Sequence, residues 1–333
     1  MHVRLRPVAL VLAAALPLAA CGGTDAATPA SAVEDGGTTI THALGTTEVP
    51  ADPQRVVTWG WGSADAAIAL GVVPVAIPAQ TYGGDADGVL PWVRARLEAD
   101  GVAVPPVLPD TQEVPVEAIA AAEPDLILAP YSGITETEYA QLSRIAPTVA
   151  YPEQAWATPW RDTIRIVGQA LGRSDEAEAL LEDIDATVAE QAADHPEFRG
   201  KSIALVASTP NAFYVYKPAD PRVEFVLDLG FTSAESVDVL ASGDDTFFYT
   251  LSTERLAELD SDVLVSYAAS QAEADAFLSS PQAQLLPQVA RGAVASVVGT
   301  ELVASVSPPT ALSLTWALEE YVAVLSEAAQ AAG

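Results

Sequence analysis

The chain has 333 residues, half of them hydrophobic, enough for a sizeable core and for two domains. Its 15 basic residues face 45 acidic ones, and the formal charge of −30 argues against nucleic acid or an anionic lipid surface as partners. A single cysteine leaves no disulfide framework, and once processing removes His2 and lipidates Cys21, as argued below, neither thiol catalysis nor a histidine metal cluster is available.

Residues 1–20 place Arg4 and Arg6 before an apolar run too short to span a bilayer as a permanent helix. Leu18-Ala19-Ala20-Cys21 then has the form of a bacterial lipobox, in which the cysteine is lipidated and becomes the new N-terminus. An ordinary signal peptide with a chance cysteine is the alternative; that Cys21 is the only cysteine favours lipidation. The protein is therefore expected outside the cytoplasm, anchored by lipid to the outer face of the cell membrane. Processing would leave 13 basic against 45 acidic residues, a balance of −32. Residues 21–42 are expected to be a flexible tether, because Gly22 to Gly37 is small and polar with no apolar period.

Residues 43–157 alternate strand and helix signals. Arg55–Trp59, Val73–Ile77 and Asp125–Ala129 read as strands; Ala64–Leu70, Val89–Glu98, Val116–Ala122 and Glu136–Ile145 read as helices. The alternation predicts an α/β lobe with a mostly parallel sheet, and ligands on such sheets bind beyond the carboxyl ends of strands. Gly60, Trp61, Gly62, Tyr82, Gly83, Gly84, Tyr131 and Ser132 all follow strands in that way.

Residues 158–194 contain no proline after Pro159 and carry apolar residues at helical spacing: Ile164, Val167, Ala170 and Leu171, then Ala177, Leu180, Leu181, Ile184 and Val188. Gly172 can end the first helix and Ser174 can cap the second. The second helix, of roughly 20 residues, would be about 30 Å long. It is either a stiff bridge between two α/β lobes or a long helix inside one domain.

Residues 195–333 repeat the pattern, with strands at Ser202–Ala207, Ala212–Tyr216, Val263–Ser266 and Ala293–Val298. Helices are expected at Val223–Leu229, Glu254–Leu259, Ala272–Leu278 and Thr310–Ala329. The histidines remaining after processing, His42 and His195, are expected to be solvated.

Two segments match across the bridge. Glu117-AIAAAEP-Asp125 and Glu254-RLAELDS-Asp262 share a glutamate, a short apolar helix, a turn and an aspartate ahead of a strand. The match predicts a pseudo-symmetric body with Glu117 and Glu254 at equivalent points; each could equally be a solvated first-turn carboxylate.

The Gly60-Trp61-Gly62 loop lacks the third glycine of a dinucleotide fingerprint, and no GxSxG elbow, P-loop or HExxH is present. Aromatics and a few cations in loops are the stronger signal. The ligand-binding candidates are Trp61, Tyr82, Tyr131, Trp160, Arg161, Tyr214, Tyr216, Arg222, Tyr249, Tyr267 and Trp316, with Trp156, Lys217 and Phe248 near them in sequence. Core packing is the competing role for each one singly.

RVVTWGWGSADAAIALGVVPVAI, IAAAEPDLILAPYSGITETEYAQLSRIAPTV, GQALGRSDEAEALL and SPPTALSLTWALEEYV resemble the iron–siderophore substrate-binding lipoproteins of ABC importers. The resemblance runs from about Ala43 to Gln330. It implies two Rossmann-like α/β lobes joined by one long helix; a monomer is expected. A ferric siderophore would sit between the lobes and pass to a membrane permease docked through Glu117 and Glu254. It implies no enzymatic step and no cofactor. A near-neutral ferric trihydroxamate is favoured over a trianionic tricatecholate, because candidate cations are few: Arg161, Lys217 and Arg222. Haem, a cobalamin or another metal chelate are alternatives within the class. An exported α/β hydrolase-like enzyme is disfavoured by the missing nucleophile elbow and histidine base, and a structural surface module by the loop aromatics.

Overall fold

The structure, a computed structural model, describes residues 37–333 apart from 112, 210 and 244–246. The signal segment, Cys21 and most of the tether lie outside the described residues.

The chain enters through an antiparallel hairpin, β1 (Thr38–His42) and β2 (Gly45–Val49), paired from Thr38 opposite Val49 to His42 opposite Gly45. The hairpin corrects the expectation that the tether reaches residue 42. Alternate residues Ile40 and His42 turn inward, which a solvated tether would not do. His42 is likewise not solvated. Its Nδ1 accepts the Leu44 N–H at 3.2 Å, so Nε2 carries the proton and donates to Thr47 Oγ1 at 3.0 Å; Thr47 in turn donates to the Thr148 carbonyl at 2.6 Å. Burial lowers the imidazole pKa and keeps it neutral.

The first lobe continues β3 (Val56–Thr58), α1 (Ser63–Ala69), β4 (Ile77–Pro78), α2 (Pro91–Ala99), β5 (Val107–Leu108), α3 (Val116–Ala121), β6 (Leu126–Leu128), α4 (Glu136–Leu142) and β7 (Thr148–Val149). Strands β3, β6 and β7 pair in parallel, as do β4 and β5, and a Val57–Ala76 bridge links the two sets. Every residue of β3 and β6 is buried, as expected of a parallel sheet covered on both faces.

Two helices lead to the second lobe: α5 (Trp160–Ala170) and α6 (Ser174–Asp194), the latter 21 residues and about 31 Å long. Ala177, Leu181, Ile184 and Val188 form its buried stripe. Ser174 begins α6 rather than capping it; Arg173 holds the cap position without a side-chain hydrogen bond. The helices close on each other at Gly168, where a Cβ would fall 2.5 Å from the Ala177 Cβ.

The second lobe contains β8 (Ser202–Ser208), β9 (Phe213–Tyr216), α7 (Pro221–Asp228), β10 (Thr232–Ser233), α8 (Glu235–Leu240), β11 (Phe248–Thr250), β12 (Val263–Ala268), α9 (Gln271–Ser279), α10 (Pro287–Arg291), β13 (Val294–Val298), α11 (Thr300–Val306) and α12 (Ser313–Ala331). Its sheet runs β11-β9-β8-β12-β13 with β10 also on β8; β8, β10, β12 and β13 are parallel, β9 and β11 antiparallel to their neighbours. The helix expected at Glu254–Leu259 is a 3-10 helix, Thr253–Glu258. His195 stacks on Phe198 at 5.1 Å and meets the Glu197 carboxylate at 2.9 Å, so it too is only partly solvated.

The internal repeat has a physical basis in these sheets. Asp125 accepts the backbone N–H groups of Gln54 and Arg55 at 2.8 and 2.9 Å, just ahead of β3. Asp262 accepts the N–H and O–H of Ser202 at 2.7 and 2.8 Å, at the start of β8. In both lobes the next residue then pairs with the neighbouring strand in the same register, Leu126 with Val56 and Val263 with Ile203. The aspartate locks two adjacent parallel strands at their entry. The result is two α/β lobes with mostly parallel cores, joined by one long helix.

Candidate ligand cleft

The first lobe's share of the site comes from loops at the carboxyl ends of β3 and β6. Gly60 and Gly62 have φ of 85° and 72°, and a Cβ on Gly60 would strike the Tyr131 carbonyl. The two loops therefore lie against each other, and the Trp61 N–H donates to the Tyr131 carbonyl at 3.0 Å. The Trp61 indole N–H crosses to the second lobe and donates to the Pro308 carbonyl at 2.9 Å. Tyr131 is buried with its ring edge-on to Trp156, centroids 5.9 Å apart. Trp156 has φ of 60°, a conformation that bulky residues rarely adopt, and its indole crowds Gly133 so closely that a Cβ there would collide. It is nonetheless 46% exposed, a large aromatic held in a strained position facing open space.

In the second lobe, β9 alternates Phe213 and Val215 into the core with Tyr214 and Tyr216 on the other face. Asp220 caps α7 by accepting the Arg222 N–H at 2.9 Å, and its two oxygens grip the Arg222 Nε and Nη2, each at 2.7 Å. Arg222 Nη1 donates to Ser307 Oγ at 3.2 Å, and the guanidinium lies 3.9 Å over the Tyr216 ring. Burial disfavours the Arg222 charge, but the Asp220 carboxylate outweighs it and holds the pKa above the usual arginine value. The Tyr131, Tyr216 and Tyr267 hydroxyls are each pushed up by burial, with the nearby Arg222 charge partly opposing the shift. Arg222 is thus the electrostatic centre of a tyrosine-lined group drawn from both lobes.

Two recesses open at the strand-end loops of the first lobe, and the narrower of them reaches Tyr131 and the second lobe. One, of about 280 Å³, is bounded by Trp59, Trp61, Gln80, Asp110, Glu138 and Trp156 among others. A narrower one, with about 10 Å³ of free volume, lies between Trp61, Tyr131, Thr158, Trp160 and the Pro308–Pro309 segment of the second lobe. The buried Trp160 indole N–H at this narrower recess has no hydrogen-bond partner among the described residues. Neither recess is lined by a lysine or an arginine.

The remaining candidates fall elsewhere. Arg161 is taken by three carboxylates, Asp185 at 2.6 Å, Glu224 at 3.1 Å and Asp228 at 2.8 Å, so it clamps α5 to α6 and α7 rather than facing a ligand. Tyr249 points into the core, one residue out of phase with Phe248, and burial pushes its hydroxyl pKa up to about 12. Trp316 leans on Trp92 of α2 at 5.5 Å, away from the Arg222 group. Tyr82 is 46% exposed at the rim, where burial and then the Glu273 charge of the second lobe raise its hydroxyl pKa. Tyr214 shares the Tyr216 face and meets Phe248 edge-on at 5.6 Å. Glu117 and Glu254 are exposed, each in the first turn of its helix. Sequence reasoning passed over Asp220, Ser307 and Gly133; Asp220-Pro221 carries an N-cap and N1-proline signal that could have located the first. No three His, Cys, Asp or Glu side chains converge on a metal position among the described residues.

Residues 56–297 match the periplasmic binding protein family. The chain is 30% identical over 257 residues to the probable siderophore-binding lipoprotein YfiY of Bacillus subtilis (strain 168), covering 76% of this chain and 75% of that protein. It is 31% identical over 183 residues to the Fe(3+) dicitrate-binding periplasmic protein FecB of Escherichia coli (strain K12), covering 54% and 56%. Among solved structures, Streptococcus pneumoniae TIGR4 PiaA in complex with ferrichrome is similar with a TM-score of 0.82 and 35% identity, over 89% of this chain and 99% of that one.

Proposed function

The chain belongs to the periplasmic binding protein family, and on that footing we propose that it captures a ferric siderophore between its two lobes and delivers it to the permease of an ABC importer. The observation that carries this reading is the group of aromatics at the strand ends of both lobes: Tyr131 from one side and Tyr216 and Tyr267 from the other around Arg222, with Trp61 and Trp156 beside Tyr131. Such a surface suits a ligand with apolar faces and a few carbonyl acceptors, and it makes or breaks no bond. A ferric trihydroxamate is the favoured class, since such chelates are near neutral and neither recess is lined by a lysine or arginine. The similarity to a ferrichrome-bound structure supports the same choice.

Cys21 is the lipid anchor that holds the protein at the outer face of the membrane, in keeping with the lipoprotein relatives. Exposed Glu117 and Glu254, one per lobe, dock onto basic sites of a two-fold permease, serving orientation and encounter rate more than affinity. The test of the reading is tryptophan-fluorescence titration with ferrichrome, ferric enterobactin, ferric dicitrate and haem. Saturable 1:1 binding of ferrichrome is expected. Binding of haem with no response to any ferric siderophore would refute the assignment.

A further inference from the structure

Arg222 lines neither recess, but its guanidinium reaches Ser307, next to Pro308 at the narrower one, and lies close enough to Tyr131 to shift its hydroxyl; it arrives there already paired. Both Asp220 oxygens are spent on it, and Asp220 is fully buried, so no counter-ion can replace it there. A guanidinium has five N–H donors; Nε, one on Nη2 and one on Nη1 are held by Asp220 and Ser307, which leaves two among the described residues. The group thus offers directed donors whose net charge with Asp220 is zero. Around it stand the tyrosines Tyr131, Tyr216 and Tyr267, whose hydroxyls burial pushes above their ordinary range.

Resting on the siderophore reading above, we infer that Asp220 is the positioning residue that sets selectivity for chelate charge. It fixes Arg222 as a hydrogen-bond donor toward the cleft while cancelling its charge. A neutral chelate with carbonyl or hydroxamate oxygens then gains the two remaining N–H bonds at little electrostatic cost. A polyanionic chelate must give up its hydration against a site of zero net charge, and is rejected. The selectivity follows from a carboxylate that never touches the ligand.

The test is a titration of wild type and Asp220→Asn with ferrichrome, a neutral ferric trihydroxamate, and ferric enterobactin, a trianionic tricatecholate. Asparagine keeps the N-cap acceptor of α7 and removes the negative charge. In wild type, ferrichrome should bind more tightly. In the variant the affinity ratio should move toward the tricatecholate by about tenfold or more, and the shift should shrink in high salt. A purely structural role would weaken both chelates alike and leave the ratio unmoved. A ratio within about threefold of wild type would overturn the inference while leaving the siderophore reading intact. Should Asp220→Asn fail to fold, Asp220→Ser also keeps an N-cap acceptor without the charge and carries the same comparison; tricatecholate binding by wild type as tight as ferrichrome binding overturns the inference on its own. Failure of wild type to bind either chelate would overturn this inference, whereas the siderophore reading falls only if haem binds and no ferric siderophore, ferric dicitrate included, does.

Discussion

A guanidinium serves a ligand only through N–H groups that nothing else holds, and the two arginines of the bridge and second lobe differ on that point. Among the described residues Arg222 keeps two N–H donors that nothing holds, whereas Arg161 is shared among Asp185, Glu224 and Asp228. Arg161→Met should therefore lower stability by about 2 kcal/mol, less than for a fully buried pair because its carboxylates are a third to a half exposed. Ferrichrome affinity should stay at the wild-type value; urea denaturation and titration on the same preparation separate the two roles. Asp65 poses a different question. It is buried beneath the Trp92 indole N–H at 2.6 Å and the Thr310 hydroxyl at 2.5 Å, tying α1 to the segment before α12. Burial raises its pKa more than those hydrogen bonds lower it. A carboxyl raised in the folded state contributes stability below its unfolded pKa and loses that contribution as pH climbs through the folded value. Wild type should accordingly gain on Asp65→Asn as pH falls from about 8 toward 4. Urea midpoints of both proteins at the two pH values measure this, and a pH-independent difference would contradict it. Sequence position after a strand put Trp61 and Tyr131 among the candidates, but it could not separate Tyr216 from Tyr249. In a run such as Phe247-Phe248-Tyr249 either alternation is plausible, and only the pairing of Tyr249 with Val215 decides which face it takes. Arg161 was misread because its acid partners come from two other helices.

At the scale of elements, the bridge depends on one glycine. Alanine at 168 gains roughly 1 kcal/mol of helix propensity, yet its Cβ would lie 2.5 Å from the Ala177 Cβ. Overpacking of that kind costs about 1–3 kcal/mol, so Gly168→Ala should destabilise on balance. Adding Ala177→Gly should recover the clash, giving a coupling of about 1 kcal/mol in a double-mutant cycle of thermal unfolding. Stabilisation by Gly168→Ala alone would show that α5 and α6 are not locked there. The long α6 was legible because Leu181, Ile184 and Val188 repeat at helical spacing over 21 residues. The entry hairpin was not. Its strands are threonine-rich and follow a polar stretch, and only Ile40, His42, Thr47 and Val49 turn inward. Two-residue strands such as β5 and β7 are shorter than any pattern, and exist because neighbouring strands hold them.

For the whole molecule, the repeat read from the sequence became two sheets entered through equivalent aspartates, Asp125 and Asp262, with an exposed glutamate eight residues before each. If those glutamates meet a permease, Glu117→Ala with Glu254→Ala should leave folding and ferrichrome affinity nearly unchanged, since exposed substitutions usually shift stability by about 0.5 kcal/mol or less. Radio-iron uptake by cells that depend on the importer should fall sharply, and further than for either single change. The lobes' order and parallel cores were readable from alternation alone, whereas the cleft's chemistry required the crossing contacts, Trp61 to Pro308 and Arg222 to Ser307, that no local pattern contains. The central claim is that a ferric chelate lies between the lobes at this group. Anomalous diffraction at the iron edge, from crystals grown with ferrichrome, measures it directly. One iron peak is predicted between Trp61, Tyr131 and Trp156 on one side and Tyr216 and Arg222 on the other; an ordered iron site anywhere else on the protein, with the cleft empty, would contradict it.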